Sequence, residues 1–351
     1  MVSTEDLSLK EAMFFEHLEE KKVRCLLCPR RCLLPEGKVG FCGVRKNING
    51  ELYSLIYRKA SAIAVDPIEK KPLYHFYPGS AVLSYGTIGC NLHCKYCQNY
   101  HISHPKSEDF SLRETGSPEE IVNETIKRAC EGVAFTYNEP TIWYEFVYET
   151  AKVVKERGFY TVYVSNGFIN EEPLRKLAPH LDAANIDLKS FKEEDYVFMS
   201  KGHLQPVLNT IKILKESGVF VEITNLVVTD FNDSEEMFRE ISNWVVKTLG
   251  ADTPLHFTRY HPDYLYTAPA TPLNTLKRAY EVAKEEGVNY VYIGNTLMRK
   301  YSNTFCHKCG ELLISRDGFY ARKTYTFDEN GKVICPSCGV FLPIIDKSRG
   351  K

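Results

Sequence analysis

Eleven of the twelve cysteines fall into three short groups. Cys25, Cys28, Cys32 and Cys42 form the first, Cys90, Cys94 and Cys97 the second, and Cys306, Cys309, Cys335 and Cys338 the third. Gaps of two or three residues bring thiolates onto one turn, which suits metal ligation better than disulfide bonding in a reducing compartment. The second group has the most reactive potential. Three close thiolates satisfy three irons of a cubane cluster and leave the fourth without a protein ligand. An open coordination position is what a metal centre needs to hold a small chelating molecule. The third group consists of two Cys-x2-Cys turns, each followed by a glycine, Gly310 or Gly339. Four such thiolates predict a closed tetrahedral site for structural zinc, and a rubredoxin-type iron would use the same ligands. The first group predicts another metal, either zinc or an iron–sulfur cluster. Cys130 stands alone on an apolar helical pattern and reads as core.

The elements that must position these groups follow from hydrophobic periodicity. Residues 1–24 read as one helix with Phe14, Phe15 and Leu18 on its apolar face, and 51–65 read as β-like. A segment punctuated by Pro67, Pro72 and Pro78 leads into alternating strands and helices. Apolar strand runs are predicted at 81–89, 133–137, 160–166, 182–188, 220–228, 255–260 and 290–294. Amphipathic helices between them stop near Gly132, Gly158, Gly218, Gly250 and Gly287. This pattern predicts an α/β fold with a parallel sheet covered by helices, as a partial or full (β/α) barrel; a doubly wound open sheet is the rival. Chemistry then gathers at the C-terminal ends of the strands. Cys90 follows directly on Gly89 at the first of these ends. Thr136, Tyr137, Asn138 and Glu139 close the second strand, Ser165 and Asn166 the third, and Asp187 and Lys189 the fourth. Alternation places Asp187 and Lys189 on one side of their strand. Arg259 and His261 follow the sixth strand, where they could contact phosphate, carboxylate or adenine, and His203 reads as a capping-region residue. Three units result: an N-terminal helix and cysteine-rich module over 1–80, the barrel over 81–299, and a zinc-ribbon-like module over 300–351.

Bulk properties narrow the function further. With 44 basic and 45 acidic side chains the formal net charge is -1, so there is no global attraction to nucleic acid or anionic membranes. The 22 tyrosines read as packing and give no evidence for base stacking. The acidic start lacks a signal peptide's basic end and apolar stretch, and no later run approaches a membrane span. A cytoplasmic protein with a substantial core is expected.

Cys90-x3-Cys94-x2-Cys97, with the aromatic Tyr96 before the last cysteine, resembles the radical S-adenosylmethionine (SAM) superfamily. The resemblance implies that the open iron of a [4Fe–4S] cluster binds the amino and carboxylate groups of SAM. It also implies that reduction releases a 5′-deoxyadenosyl radical that abstracts hydrogen from a substrate. Glu139 matches a segment that contacts the methionine amino group, Asn166 a Thr-Asn-Gly motif, and Asp187-Leu-Lys189 a pair that contributes to SAM binding in pyruvate formate-lyase activating enzymes. Tyr96, Tyr137, Asn138, Ser165 and His261 join this cofactor-binding set. With Leu-Cys28-Pro-Arg-x-Cys32 and Gly-Phe-Cys42-Gly, the pattern is similar to the AmmeMemoRadiSam-system radical SAM enzymes. Memo-like and AMMECR-type pathway proteins, a reducing electron donor and a peptide or small-molecule substrate are the partners this implies. Activation of a glycyl-radical enzyme is the alternative reaction. A multi-metal binding or electron-transfer protein is the alternative of another class.

Overall fold

The computed structural model describes residues 9–104 and 112–347. Its centre is one eight-stranded sheet. The strands are β1 (Ala62–Pro67), β2 (Ala81–Gly86), β3 (Gly132–Phe135), β4 (Tyr160–Ser165), β5 (Ala183–Asp187), β6 (Phe220–Val227), β7 (Leu255–Arg259) and β8 (Val291–Gly294). They lie side by side in chain order, with β1 and β8 at the edges. Strands β2 to β8 are parallel, and β1 is antiparallel to β2. The crossings carry helices α1 (Pro118–Lys127), α2 (Tyr144–Glu156), α3 (Glu171–Leu177), α4 (Leu204–Glu216), α5 (Glu235–Leu249) and α6 (Leu273–Glu285). A parallel order without reversal keeps every right-handed crossover on one side, so the sheet curls. That order excludes the doubly wound rival, which requires a switch point. The edges do not pair with each other, so the barrel is partial.

Local sequence explains the boundaries. Strand β3 is apolar throughout, and β3 and β5 are both buried along nearly their whole length, as a covered parallel sheet requires. A capping box opens α1: Ser117 accepts from the Glu120 amide, and Glu120 accepts from the Ser117 amide. Gly158, Gly218, Gly250 and Gly287 take positive φ after their helices, but Gly132 opens β3, and Ala129 (φ 52°) makes the turn instead. Helix α3 was not expected from sequence, because its seven residues contain a proline and too few apolar positions to show a period.

The largest correction is at the N-terminus. Residues 9–24 are not helical. Lys10–Glu11 pairs with Glu51–Ser54, and Phe15–His17 pairs with Val23–Cys25. Phe14, Glu20 and Lys21 have positive φ, which a helix does not admit. The helical spacing of Phe14, Phe15 and Leu18 is overridden by tertiary strand pairing. Residues 1–8 of that predicted helix lie outside the described residues.

β1 and the segment after it were read from sequence with the N-terminal unit, yet they pair with and fill the barrel. Glu222 on β6 accepts from the amides of Tyr74 and His75 at 2.8 and 2.7 Å and bonds His256 Nε2 at 2.6 Å. His75 donates from Nδ1 to Pro343 O, which leaves Nε2 to accept from Tyr292. Burial pushes the His75 imidazole down to about 4. These groups close the end of the barrel opposite the cysteine loop and tie it to the C-terminal module.

Candidate active site

The loop between β2 and the turn Tyr100–Ser103 carries Cys90, Cys94 and Cys97. Asn138, just past β3, braces its start: Oδ1 accepts from the Thr87 amide at 3.1 Å, and Nδ2 donates to Gly89 O at 2.8 Å. The amides of His93 and Lys95 donate to Ser200 O and Met199 O, both at 2.9 Å. All three cysteines line a cavity of about 320 Å³ at the C-terminal ends of the strands. No fourth cysteine and no histidine lines it among the described residues. Their sulfurs are also more widely spread than the C-terminal set, whose four ligand atoms all lie within 4.8 Å of one another. A donor set of three separated thiols with no fourth ligand fits a cubane cluster with one open iron. Cys90 Sγ accepts from the Leu92 amide at 3.4 Å and from Asn166 Nδ2 at 3.6 Å. Burial pushes the Cys90 thiol well up and Cys97 up to about 11, so both hold their protons without a metal and would ligate as thiolates only by giving them up to one.

The sequence-predicted residues meet around this cavity, with one exception. Tyr96, Tyr137, Asn138, Glu139, Ser165, Asn166, Asp187 and Lys189 all line it. Glu139 is buried and joins two strand ends. Its Oε1 accepts from the Thr141 amide and hydroxyl and from Ser165 Oγ, and its Oε2 accepts from the Asn166 amide at 2.8 Å. One acceptor position on Oε2 is left for a further donor. Burial raises the Glu139 pKa against the pull of these bonds. Asn166 is committed to the protein: Oδ1 accepts from the Phe168 amide, and Nδ2 also reaches Asn91 Oδ1 at 2.9 Å. Lys189 Nζ lies 3.0 Å from Asp187 Oδ2. Burial opposes the lysine charge, but Asp187 together with Cys94, Tyr96 and Tyr196 outweighs it, so the Lys189 pKa is raised. Tyr96 is buried beside Ser200.

His261 is the exception. Its side chain is 61% exposed, and it touches the site only through Gln98, whose Nε2 lies 2.7 Å from its Nδ1. It sits two residues past β7, where the chain has left the barrel mouth. Arg259 donates from Nε to Thr271 O and does not line the cavity. His203 occupies the residue before α4, but Glu193 does the capping, accepting from the Leu204 amide and from His203. Cys130 is buried in the turn after α1, not on the helix.

Sequence reasoning missed Lys71, which lines the cavity while only 1% of it is exposed. Asp66 on β1 accepts from Lys71 at 2.7 Å, from Lys70 at 2.8 Å and from the Tyr137 hydroxyl. Burial would raise the Asp66 pKa, but these three donors hold it well below the usual carboxylate range. Burial lowers Lys71 to about 8 despite Asp66. The signal was a lysine pair beside Pro72 in an otherwise apolar stretch, which reads as a solvated turn until β1 is placed in the sheet.

The two outer cysteine groups differ in geometry. In the C-terminal module, Cys306 and Cys338 sulfurs are 3.7 Å apart and Cys309 and Cys335 sulfurs 3.6 Å apart. A tetrahedral ion with metal–sulfur bonds of about 2.3 Å puts its thiolates about 3.8 Å apart. Gly310 and Gly339 donate their amides to Cys306 O and Cys335 O at 2.9 Å, which makes two equivalent knuckles. Cys25, Cys28, Cys32 and Cys42 surround a separate cavity on the far side of Asn91.

The family model of the radical SAM superfamily matches residues 84–245. The chain is 46% identical to uncharacterized protein MJ0808 of Methanocaldococcus jannaschii over 338 residues, covering 96% of this chain and 100% of that protein. The chain belongs to the radical SAM superfamily. Pyruvate formate-lyase-activating enzyme of Clostridium pasteurianum is 25% identical over 181 residues, 49% of this chain and 72% of that enzyme. Among solved structures, Streptococcus suis SuiB bound to S-adenosylmethionine aligns with a TM-score of 0.49 at 14% identity, over 77% of this chain and 59% of that one. By its sequence relatives this radical SAM protein is related to glycyl-radical activases, and its family implies a [4Fe–4S] cluster and SAM. No helix among the described residues is long and apolar enough to cross a membrane.

Proposed function

We propose that this radical SAM enzyme holds its [4Fe–4S] cluster on Cys90, Cys94 and Cys97 and abstracts hydrogen from a peptide or small molecule within an AmmeMemoRadiSam pathway. The observation that carries the site is the convergence of three thiols, with no fourth ligand, and the Asp187–Lys189 pair on one cavity. When bound and reduced, the cluster supplies the electron that cleaves SAM. The chain's own residues do the rest. Lys189 and Asp187 offer opposite charges to the carboxylate and ammonium of SAM. The free acceptor position on Glu139 adds to the ammonium site, and Ser165 and Asn166 keep that carboxylate in place. Tyr96 and Tyr137 wall the cavity and limit water. The leading expectation is radical modification with a diamagnetic product. Similarity to a pyruvate formate-lyase activating enzyme supports a second reading, activation of a glycyl-radical enzyme, which would leave a persistent protein radical. An electron-transfer protein needs no open iron and is disfavoured on that ground. We assign structural zinc to the C-terminal four cysteines, a cytoplasmic setting, a low-potential electron donor, and Memo-like and AMMECR-type proteins as pathway partners.

The test is anaerobic turnover under dithionite. Asp187→Ala and Lys189→Ala should each lower 5′-deoxyadenosine formation by about tenfold, the equivalent of about 1.4 kcal/mol, while iron content stays at the wild-type level. Undiminished formation in both variants refutes the assigned SAM contacts. No nucleoside from a fully loaded, reduced wild type refutes the reaction.

A further inference from the structure

The N-terminal cysteines are not spaced like the C-terminal ones, although each group offers four thiols. Cys25, Cys28, Cys32 and Cys42 line one cavity. Yet among the described residues, only the C-terminal set brings three or more cysteine, histidine or acidic ligand atoms within 4.8 Å of one another. One zinc ion needs thiolates about 3.8 Å apart. A cubane core places irons and inorganic sulfides between its cysteines and holds them further apart. Gly40 leaves room in the same place: a Cβ there would stand 3.9 Å from both Cys32 Sγ and Cys42 Sγ.

A second observation is independent of the sulfurs. Arg45 lines this cavity while 2% exposed. Its Nη1 is held by Glu145 at 3.0 and 3.1 Å and its Nη2 by Met13 O at 2.7 Å, but its Nε has no hydrogen-bond partner. A buried N–H without an acceptor is costly. A cluster sulfur would accept from it, as N–H donors commonly do in iron–sulfur sites. Arg30 stands at the boundary with the other cysteine group. Its Nε donates to Asn91 O at 2.6 Å, and its side chain lines the cavity with the four cysteines.

We propose that Cys25, Cys28, Cys32 and Cys42 bind a second [4Fe–4S] cluster, closed by four protein thiolates, in place of a zinc ion. Having no open iron, it cannot take SAM, and it lies beside the loop that carries Cys90.

The test separates this site from the SAM site. A Cys90→Ala, Cys94→Ala, Cys97→Ala variant, reconstituted anaerobically, should retain about four iron and four sulfide per chain, with a reduced EPR signal that SAM does not alter. Adding Cys28→Ser should remove both elements while the circular dichroism is preserved. As a check that does not depend on a folded variant, the wild type should hold about eight iron, with SAM perturbing only part of its EPR signal. A second zinc per chain beside that of the C-terminal module overturns the proposal. So does a triple variant with about two iron and two sulfide, or a wild type with about four iron all perturbed by SAM.

Discussion

At Lys71 two forces act on one amine. Burial disfavours its charge and Asp66 favours it, and burial prevails, bringing it down to about 8 from an ordinary 10.5. Between those two values the unfolded chain binds a proton that the folded chain does not, so stability rises with pH across that window. The full effect is about 3 kcal/mol. Wild type compared with Lys71→Met should therefore gain stability between pH 8 and pH 10.5, read from denaturant midpoints. A constant difference over that range would show that Lys71 is not held in the low-dielectric setting described. Its neighbour Tyr137 shows why the site was only partly legible. Its place next to Glu139 was readable from the strand end, but its hydroxyl partner, Asp66, comes from a strand far away in sequence. Short-range motifs pointed to Cys90, Glu139, Asp187 and Lys189, which line one cavity. His261 was misplaced because proximity to a strand end does not fix the direction in which the following loop turns.

At the scale of elements, the repeated strand and helix periods made the barrel legible, since each burial face is written locally. The N-terminal strands were not, because their pairing with Glu51–Ser54 and Val23–Cys25 is a tertiary choice that the helical spacing of Phe14, Phe15 and Leu18 conceals. The joint between that region and the cysteine loop is tight at Gly89, which has φ 92° and whose added Cβ would stand 2.5 Å from Cys42 O and 2.9 Å from Val44 Cγ1. Gly158 has a similar φ of 79° with nothing within 4 Å. Gly158→Ala should therefore cost about 1 kcal/mol, from the left-handed conformation alone. Gly89→Ala should cost about 2–4 kcal/mol, because overpacking adds to the same penalty. It should also lower iron loading, since the loop has to move. Equal unfolding midpoints for the two variants would mean that the N-terminal region does not press on the cluster loop.

Across the whole molecule, the C-terminal module is joined to the barrel through buried charge as well as apolar contact. Arg316 is 3% exposed and reaches from the module to the barrel's closed end. It donates to Ser302 O at 2.8 Å, Thr304 Oγ1 at 2.9 Å and Tyr74 O at 2.7 Å, and its guanidinium lies over the Tyr74 ring at 4.2 Å. Its Nε stands 3.6 Å from Glu69 Oε1, an ion pair without a hydrogen bond, and that oxygen accepts from the Gly79 amide. Glu69 is buried, and burial raises its pKa against the pull of Arg316. Arg316→Met keeps most of the apolar volume but leaves that carboxylate without its cation. Breaking a buried pair from one side typically costs about 3–5 kcal/mol. Arg316→Met should therefore lower the unfolding midpoint by an amount in that range. Adding Glu69→Gln removes the stranded charge and should restore a large part of the loss. Iron at Cys90, Cys94 and Cys97 should be unchanged in both variants, because the joint lies at the opposite end of the barrel. If Glu69→Gln adds to the damage of Arg316→Met, the joint depends on packing and hydrogen bonds, with the ion pair contributing little. If cluster loading falls with the joint, the two ends of the barrel are coupled more strongly than their separate contacts indicate.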